Sequence, residues 1–187
     1  LVTVDRVVPY DLSSLGGPKH GRVVDGVIQE IDIATGHVVF TWHSVGHVAI
    51  AESDAKPPPG SGAASKSPYD YFHINSIDQG PNGDLLVSAR NTHAVYEINR
   101  RTGAVIWRLG GKDSSFAMGK GTTFAWQHDA RRLGALEPPG DGRVADVVGH
   151  DLAHVGADHE ALRADARPLR GQLVVERGTA LLAGQRV

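Results

Sequence analysis

A repeat within the chain limits its folding options more than any other feature. Val27-Ile28-Gln29-Glu30-Ile31-Asp32, followed by Thr35-Gly36, returns as Ala94-Val95-Tyr96-Glu97-Ile98-Asn99, followed by Thr102-Gly103. Each copy then runs into β-branched and aromatic residues, Val38-Val39-Phe40-Thr41-Trp42 and Val105-Ile106-Trp107-Arg108-Leu109. Alternating runs of this kind, joined by a short turn that ends in glycine, predict antiparallel hairpins. Between His73 and Leu109 a four-stranded unit can be drawn: His73 to Asp78, Asp84 to Arg90, Ala94 to Asn99 and Ala104 to Leu109. Four short strands in about 40 residues is the size of a propeller blade. The sequence therefore predicts an all-β fold, a partial β-propeller of four-stranded antiparallel blades, with a β-sandwich as the alternative.

The offset between copies, from residue 27 to residue 94, exceeds one blade. The Pro-, Gly-, Ser- and Ala-rich stretch 51–68 accounts for the excess as an inserted loop. Residues 1–130 then supply about two to three blades, where a closed propeller takes about four to eight. The expected division is a partial propeller over 1–130 and a distinct tail over 131–187. All 11 aromatic residues and all eight isoleucines precede Arg131, and beyond it Lys, Asn, Ser and Met are also missing. Such a switch reads either as translation out of frame in a GC-rich gene or as an Ala/Arg/Gly-rich extension. The only methionine is Met118 and the chain opens at Leu1 in a strand-like run. A fragment of a longer protein is the expectation.

Composition narrows the chemistry. A formal charge of −2 offers no electrostatic case for nucleic acid as a partner. No apolar run approaches the roughly 20 residues of a membrane span. Without cysteine, thiolate metal sites and thiol catalysis are unavailable. With no Gly-Xaa-Ser-Xaa-Gly elbow either, histidine is the expected nucleophile. Two histidines hold like positions at the start of successive units, His73 in Tyr71-Phe72-His73-Ile74-Asn75 and His128 in Ala125-Trp126-Gln127-His128-Asp129. Hairpin geometry places His73 opposite Ala89 and Arg90, and Asn75 opposite Ser88. His73, Asn75 and Arg90 would then share one rim, with His128 facing them from the next unit. Arginine pairs with sulfate, phosphate or carboxylate oxygens. An asparagine amide can donate to a developing oxyanion, and histidine serves as nucleophile or acid–base group near neutral pH. Together they suit transfer of an anionic group.

The segments Tyr69–Asp78, Leu86-Val87-Ser88-Ala89-Arg90, Trp107-Arg108-Leu109-Gly110-Gly111 and Trp126-Gln127-His128-Asp129-Ala130 resemble the arylsulfotransferase family of the actinobacterial and fungal type over about residues 1–131. The resemblance implies a six-bladed propeller that moves a sulfuryl group from a phenolic sulfate to a phenol without a nucleotide donor. It also implies no cofactor, no metal and an extracytoplasmic or secreted setting, and it leaves the oligomeric state open. By the same resemblance His128 is the nucleophile, sulfated transiently on nitrogen. His73 and Asn75 contact the sulfuryl group and bridging oxygen, and Arg90 stabilises the sulfate and the leaving phenolate. An earlier-blade histidine and the Asp-Asn-Gly segment that usually follows the nucleophile strand have no counterpart here. Trp42, Trp107 and Trp126 read as blade-packing residues, with Trp126, close to His128 in the chain, also the candidate to line the aryl pocket and bind substrate. His43, His47 and His93 read as surface or packed loop residues. His150-Asp151, His154 and His159-Glu160 mimic metal-ligand spacing without making a metal site the expectation. Two other functions compete: a non-catalytic propeller acting as a binding or scaffold module, and a quinone-dependent oxidoreductase, for which no dedicated ligands are visible.

Overall fold

A computed structural model describes residues 1–58 and 67–136, together with the strands Val144–Gly149, Leu162–Asp165, Gly171–Glu176 and Thr179–Gly184. The fold is all-β. Strands β1 (Val2–Tyr10), β2 (Gly21–Ile31) and β3 (Val38–His43) form one antiparallel sheet. Strands β4 (Ile74–Gln79), β5 (Leu85–Ala89), β6 (Ala94–Ile98) and β7 (Val105–Gly110) form a four-stranded sheet in chain order. β8 (Ala130–Leu136) pairs with β9 (Val144–Gly149). β10 (Leu162–Asp165), β11 (Gly171–Glu176) and β12 (Thr179–Gly184) form a third antiparallel sheet. Among the described residues no helix is long and apolar enough to cross a membrane.

The repeat is reproduced in detail. Asp32 and Asn99 each accept, through Oδ1, from the backbone N–H of the threonine three residues on. Gly36 and Gly103 follow with φ of 73° and 74°, a left-handed conformation that glycine adopts without steric cost. The register slips at the same place in each copy, between Glu30 and Ile31 and between Glu97 and Ile98. One side-chain pattern thus builds two equivalent hairpins, β2–β3 and β6–β7.

β5 and β6 are buried at every position because both faces of the four-stranded sheet are covered. Leu85, Val87 and Ala89, with Ala94, Tyr96 and Ile98, pack towards the first sheet against Val23, Ile28 and Trp42. Leu86 and Val95 face the other way, towards Trp107, Leu109, Phe116 and Ala130. Burying each such side chain is worth about 1.5–3 kcal/mol. Tyr69, Tyr71 and Phe72 carry the chain from the first sheet to the second. Tyr69 bridges Val23, and Phe72 packs against Trp42 and Tyr96 with ring centroids 5.9 and 5.1 Å apart. Trp42 also donates through Nε1 to Gly103 O across the gap between the sheets, at 2.9 Å.

Three details of register and strand ends differ from the sequence expectation. β4 begins at Ile74 rather than His73, because His73 has φ of 58° and leaves the ladder. Asn75 does not stand opposite Ser88. Ile74 pairs with Ala89 and Ser76 with Ser88, so Asn75 is the extra residue of a β-bulge. The strand expected to end at Arg90 ends at Ala89, and Arg90 opens a short 3-10 turn to Thr92.

Candidate active site

The candidate residues collect at the rim where β4 begins, β5 ends, β6 begins and β8 approaches. Among the described residues, the non-glycine residues with left-handed φ are His73 (58°), His93 (51°), Trp126 (61°) and Asp129 (58°). Such conformations cost on the order of 1–3 kcal/mol each, and a bulky residue like tryptophan is a marked outlier there. All four belong to segments that build this one rim. Such conformations cluster at active and ligand sites, which makes this rim the candidate site.

Arg90 N donates to His73 O at 2.9 Å, which closes the rim between the two turns. The Arg90 guanidinium carbon sits 4.5 Å from the centroid of the Trp126 ring. Arg90 is exposed, and its guanidinium forms no ion pair among the described residues. It is held by an aromatic face and remains open to an anion. The Asn75 bulge turns its amide towards the next segment, where Nδ2 donates to Gln127 O at 2.7 Å. Asn75 Oδ1 is buried and has no hydrogen-bond partner among the described residues. Gln127 Nε2 donates in turn to Ala89 O and Ala94 O, at 3.0 and 2.9 Å. These bonds fasten the Trp126–His128 segment to the ends of β5 and β6.

His73 Nδ1 lies 2.5 Å from Asp70 Oδ2. A ring N–H donated there leaves Nε2 as the acceptor, the tautomer a proton-transferring or attacking imidazole requires. His128 is exposed and forms no hydrogen bond or ion pair among the described residues. No hydrogen bond or ring contact joins His73 to His128 among those residues. Their connection runs from His73 O through Arg90 to Trp126, two residues before His128.

Two rim residues are not distinguished by sequence reasoning. Gln127 appears there only as a motif letter, yet its amide fastens the segment. His93, read as a loop residue, packs edge-on against Trp126 with ring centroids 4.9 Å apart. Its Nδ1 lies 3.0 Å from Asp54 Oδ2, and its Nε2 is buried with no hydrogen-bond partner among the described residues. Burial lowers the His93 pKa below 6.5, Asp54 opposes the shift, and Lys112 and Arg90 reinforce it. Asp54 is remote in sequence and in the loop-like stretch, so no local signal announces the pair.

A separate surface hollow of about 650 Å³ lies beside the β1–β2 connection, lined by Tyr10, Lys19, His20 and Arg22 among others. None of the rim residues lines it. The histidine spacings at His150, His154 and His159 lie outside the described residues, as do residues 59–66 of the inserted loop.

The structure thus defines an all-β protein with a strained rim rich in histidine and arginine. A family model described as Arylsulfotransferase (ASST) matches residues 1–138, and the chain belongs to that family. The match runs seven residues past the limit at 131 drawn from sequence resemblance. No curated protein and no solved structure matches the chain.

Proposed function

We propose that the rim is part of a sulfuryl-transfer site in a β-propeller protein, with residues 1–130 forming about two to three of its blades. The observation that carries this reading is the Arg90–Trp126 pair, whose indole stands two residues before His128 in the chain. It offers a guanidinium for sulfate oxygens and an indole face for an aryl ring on the segment that carries an unengaged imidazole. The donor is a phenolic sulfate and the acceptor a phenol. A nitrogen of His128 attacks sulfur, the N–S bond forms, and the S–O bond to the aryl group breaks. Arg90 offsets the charge on the sulfate oxygens and the departing phenolate. The His73 ring acts on the sulfuryl group and bridging oxygen, while Asn75, tied through Nδ2 to Gln127 O, holds the segment that carries His128. With Nδ1–H given to Asp70, neutral His73 Nε2 is set to take the proton of the incoming phenol. That phenol then attacks sulfur, the N–S bond breaks, and His128 is regenerated. The cycle needs no cofactor. Family membership also favours an extracytoplasmic setting.

The test is incubation of the chain with 4-nitrophenyl sulfate, following nitrophenolate release and the mass of the peptide that bears His128. One SO₃ added to His128, absent in His128→Asn, is the expected outcome. Release of nitrophenolate that persists in His128→Asn sinks the nucleophile assignment. Binding of aryl sulfate with no covalent product in either protein would instead favour a non-catalytic binding module.

A further inference from the structure

A residue outside the assigned set controls the aromatic wall of the site. His93 touches Trp126 on one side and Asp54 on the other. Trp126 is therefore held between two partners, the His93 ring and the Arg90 guanidinium. Without them a tryptophan with left-handed φ and 42% exposure has little reason to keep one orientation. We propose that His93 is a positioning residue: clasped by Asp54, it holds the Trp126 indole in place as the wall for the aryl ring, and its protonation releases that wall.

The geometry accounts for both halves. With Nδ1–H donated to Asp54, neutral His93 keeps a bare Nε2 in a buried place. Proton uptake there creates a second cation beside an indole that already carries Arg90. The charged groups that face His93 are Asp54, Lys112 and Arg90. Asp54 favours the imidazolium, and the other two oppose it. Lys112 is itself held by Ser53 O and by Asp54, so the carboxylate is shared. Because Nε2 is buried with no acceptor among the described residues, a proton placed there goes unsatisfied while His93 stays put, and protonation favours the arrangement in which His93 reaches water. That arrangement separates His93 from Trp126.

The inference rests on the proposed aryl site only for its functional consequence. Its physical core can be read without turnover, because an indole released from the His93 ring into water shifts its emission to longer wavelength, whereas an imidazolium that stays on the indole only quenches it. The experiment titrates the emission of the full chain between pH 8 and pH 4.5 and subtracts the curve of Trp126→Phe. The subtraction removes Trp42, whose own neighbour is His47. Quenching without a shift overturns the release, and a red shift with its midpoint below 6.5 is the expected step. It disappears in His93→Asn, a substitution suited to left-handed backbone. It moves to lower pH in Asp54→Asn, where the favourable charge is gone. A difference curve without a step overturns the proposal. So does a step that survives His93→Asn or one that ignores Asp54→Asn. In turnover, His93→Asn raises KM for aryl sulfate several-fold and removes its rise at acid pH, with kcat largely kept. A loss of kcat with unchanged KM contradicts the positioning role. Absence of any turnover in the parent chain contradicts the sulfuryl-transfer reading while the fluorescence step still stands or falls alone.

Discussion

At the scale of single residues, the rim depends on groups whose polar atoms are fully engaged or conspicuously bare. Gln127 is the clearest engaged case, since one amide satisfies two buried carbonyls at the ends of β5 and β6. Gln127→Ala removes a donor from Ala94 O and leaves Ala89 O with the Thr92 hydroxyl, at a cost of about 1–3 kcal/mol. Urea unfolding should show that loss, and nitrophenyl sulfate turnover should fall more than the stability change explains, because Trp126 and His128 flank the same backbone. An unchanged midpoint would mean that the amide does not fasten the segment. His93 is the bare case and has its own stability signature. Its folded pKa lies below the ordinary 6.5 because burial outweighs Asp54. The unfolded chain then binds the proton first as pH falls. The neutral-state contribution is complete above about 6.5 and is lost as pH drops through the folded value. Wild type should therefore lose stability over that window relative to His93→Asn, and parallel curves would contradict the assignment.

At the scale of elements, an ion-pair cluster fastens β8 to the four-stranded sheet. Arg132 N donates to Asp78 Oδ2 at 2.9 Å, Arg132 Nη1 donates to Asp78 O at 3.0 Å, and Nη2 meets Glu97 Oε2. Glu97 is nearly buried, and burial raises its pKa, with Arg132 pulling it back. Arg132→Ala strands that carboxylate, and the expected loss at neutral pH is about 3 kcal/mol. The loss should shrink towards pH 4. A raised folded pKa means stability is present below the unfolded value of 4.5 and lost as pH rises through the folded one. Equal losses at pH 4 and pH 7 would remove Glu97 from the explanation. The elements themselves were largely legible in the sequence. Asp32/Asn99, Gly36/Gly103 and the alternating runs identify both hairpins, because turn chemistry and strand period are local. The bulge at Asn75 and the left-handed His73, His93 and Trp126 were not legible. Each is fixed by a partner from another element, Gln127 for the bulge and Asp54 or Arg90 for the ring residues. Sequence therefore drew His73, Asn75, Arg90, Trp126 and His128 into neighbouring segments, gave His93 no place among them, and set Asn75 opposite Ser88 where the bulge turns its amide to Gln127 O.

At the scale of the whole molecule, the question is whether the first and second sheets act as one cooperative body. The connection 69–72 suggests that they do, because it pairs with β2 and then packs between both sheets. Phe72 is fully buried and contacts Trp42 of β3, Tyr71 of its own segment and Tyr96 of β6. Trp42 reinforces the join through its bond to Gly103 O, and Arg100 reaches Glu30 across the hairpin ends. A cavity at Phe72 therefore weakens both sheets at once. Phe72→Ala is expected to cost about 3–5 kcal/mol, the range for removing a large aromatic side chain from a core. Hydrogen exchange provides the discriminating view, since amides in cooperative units share one opening free energy. The β2 and β6 amides should lose protection by the same amount in Phe72→Ala. If β6 loses protection while β2 keeps it, the sheets are separate units. The rim would then be supported by the second sheet alone, and Asp54, which belongs to the connection between them, would hold His93 only as firmly as that connection is docked.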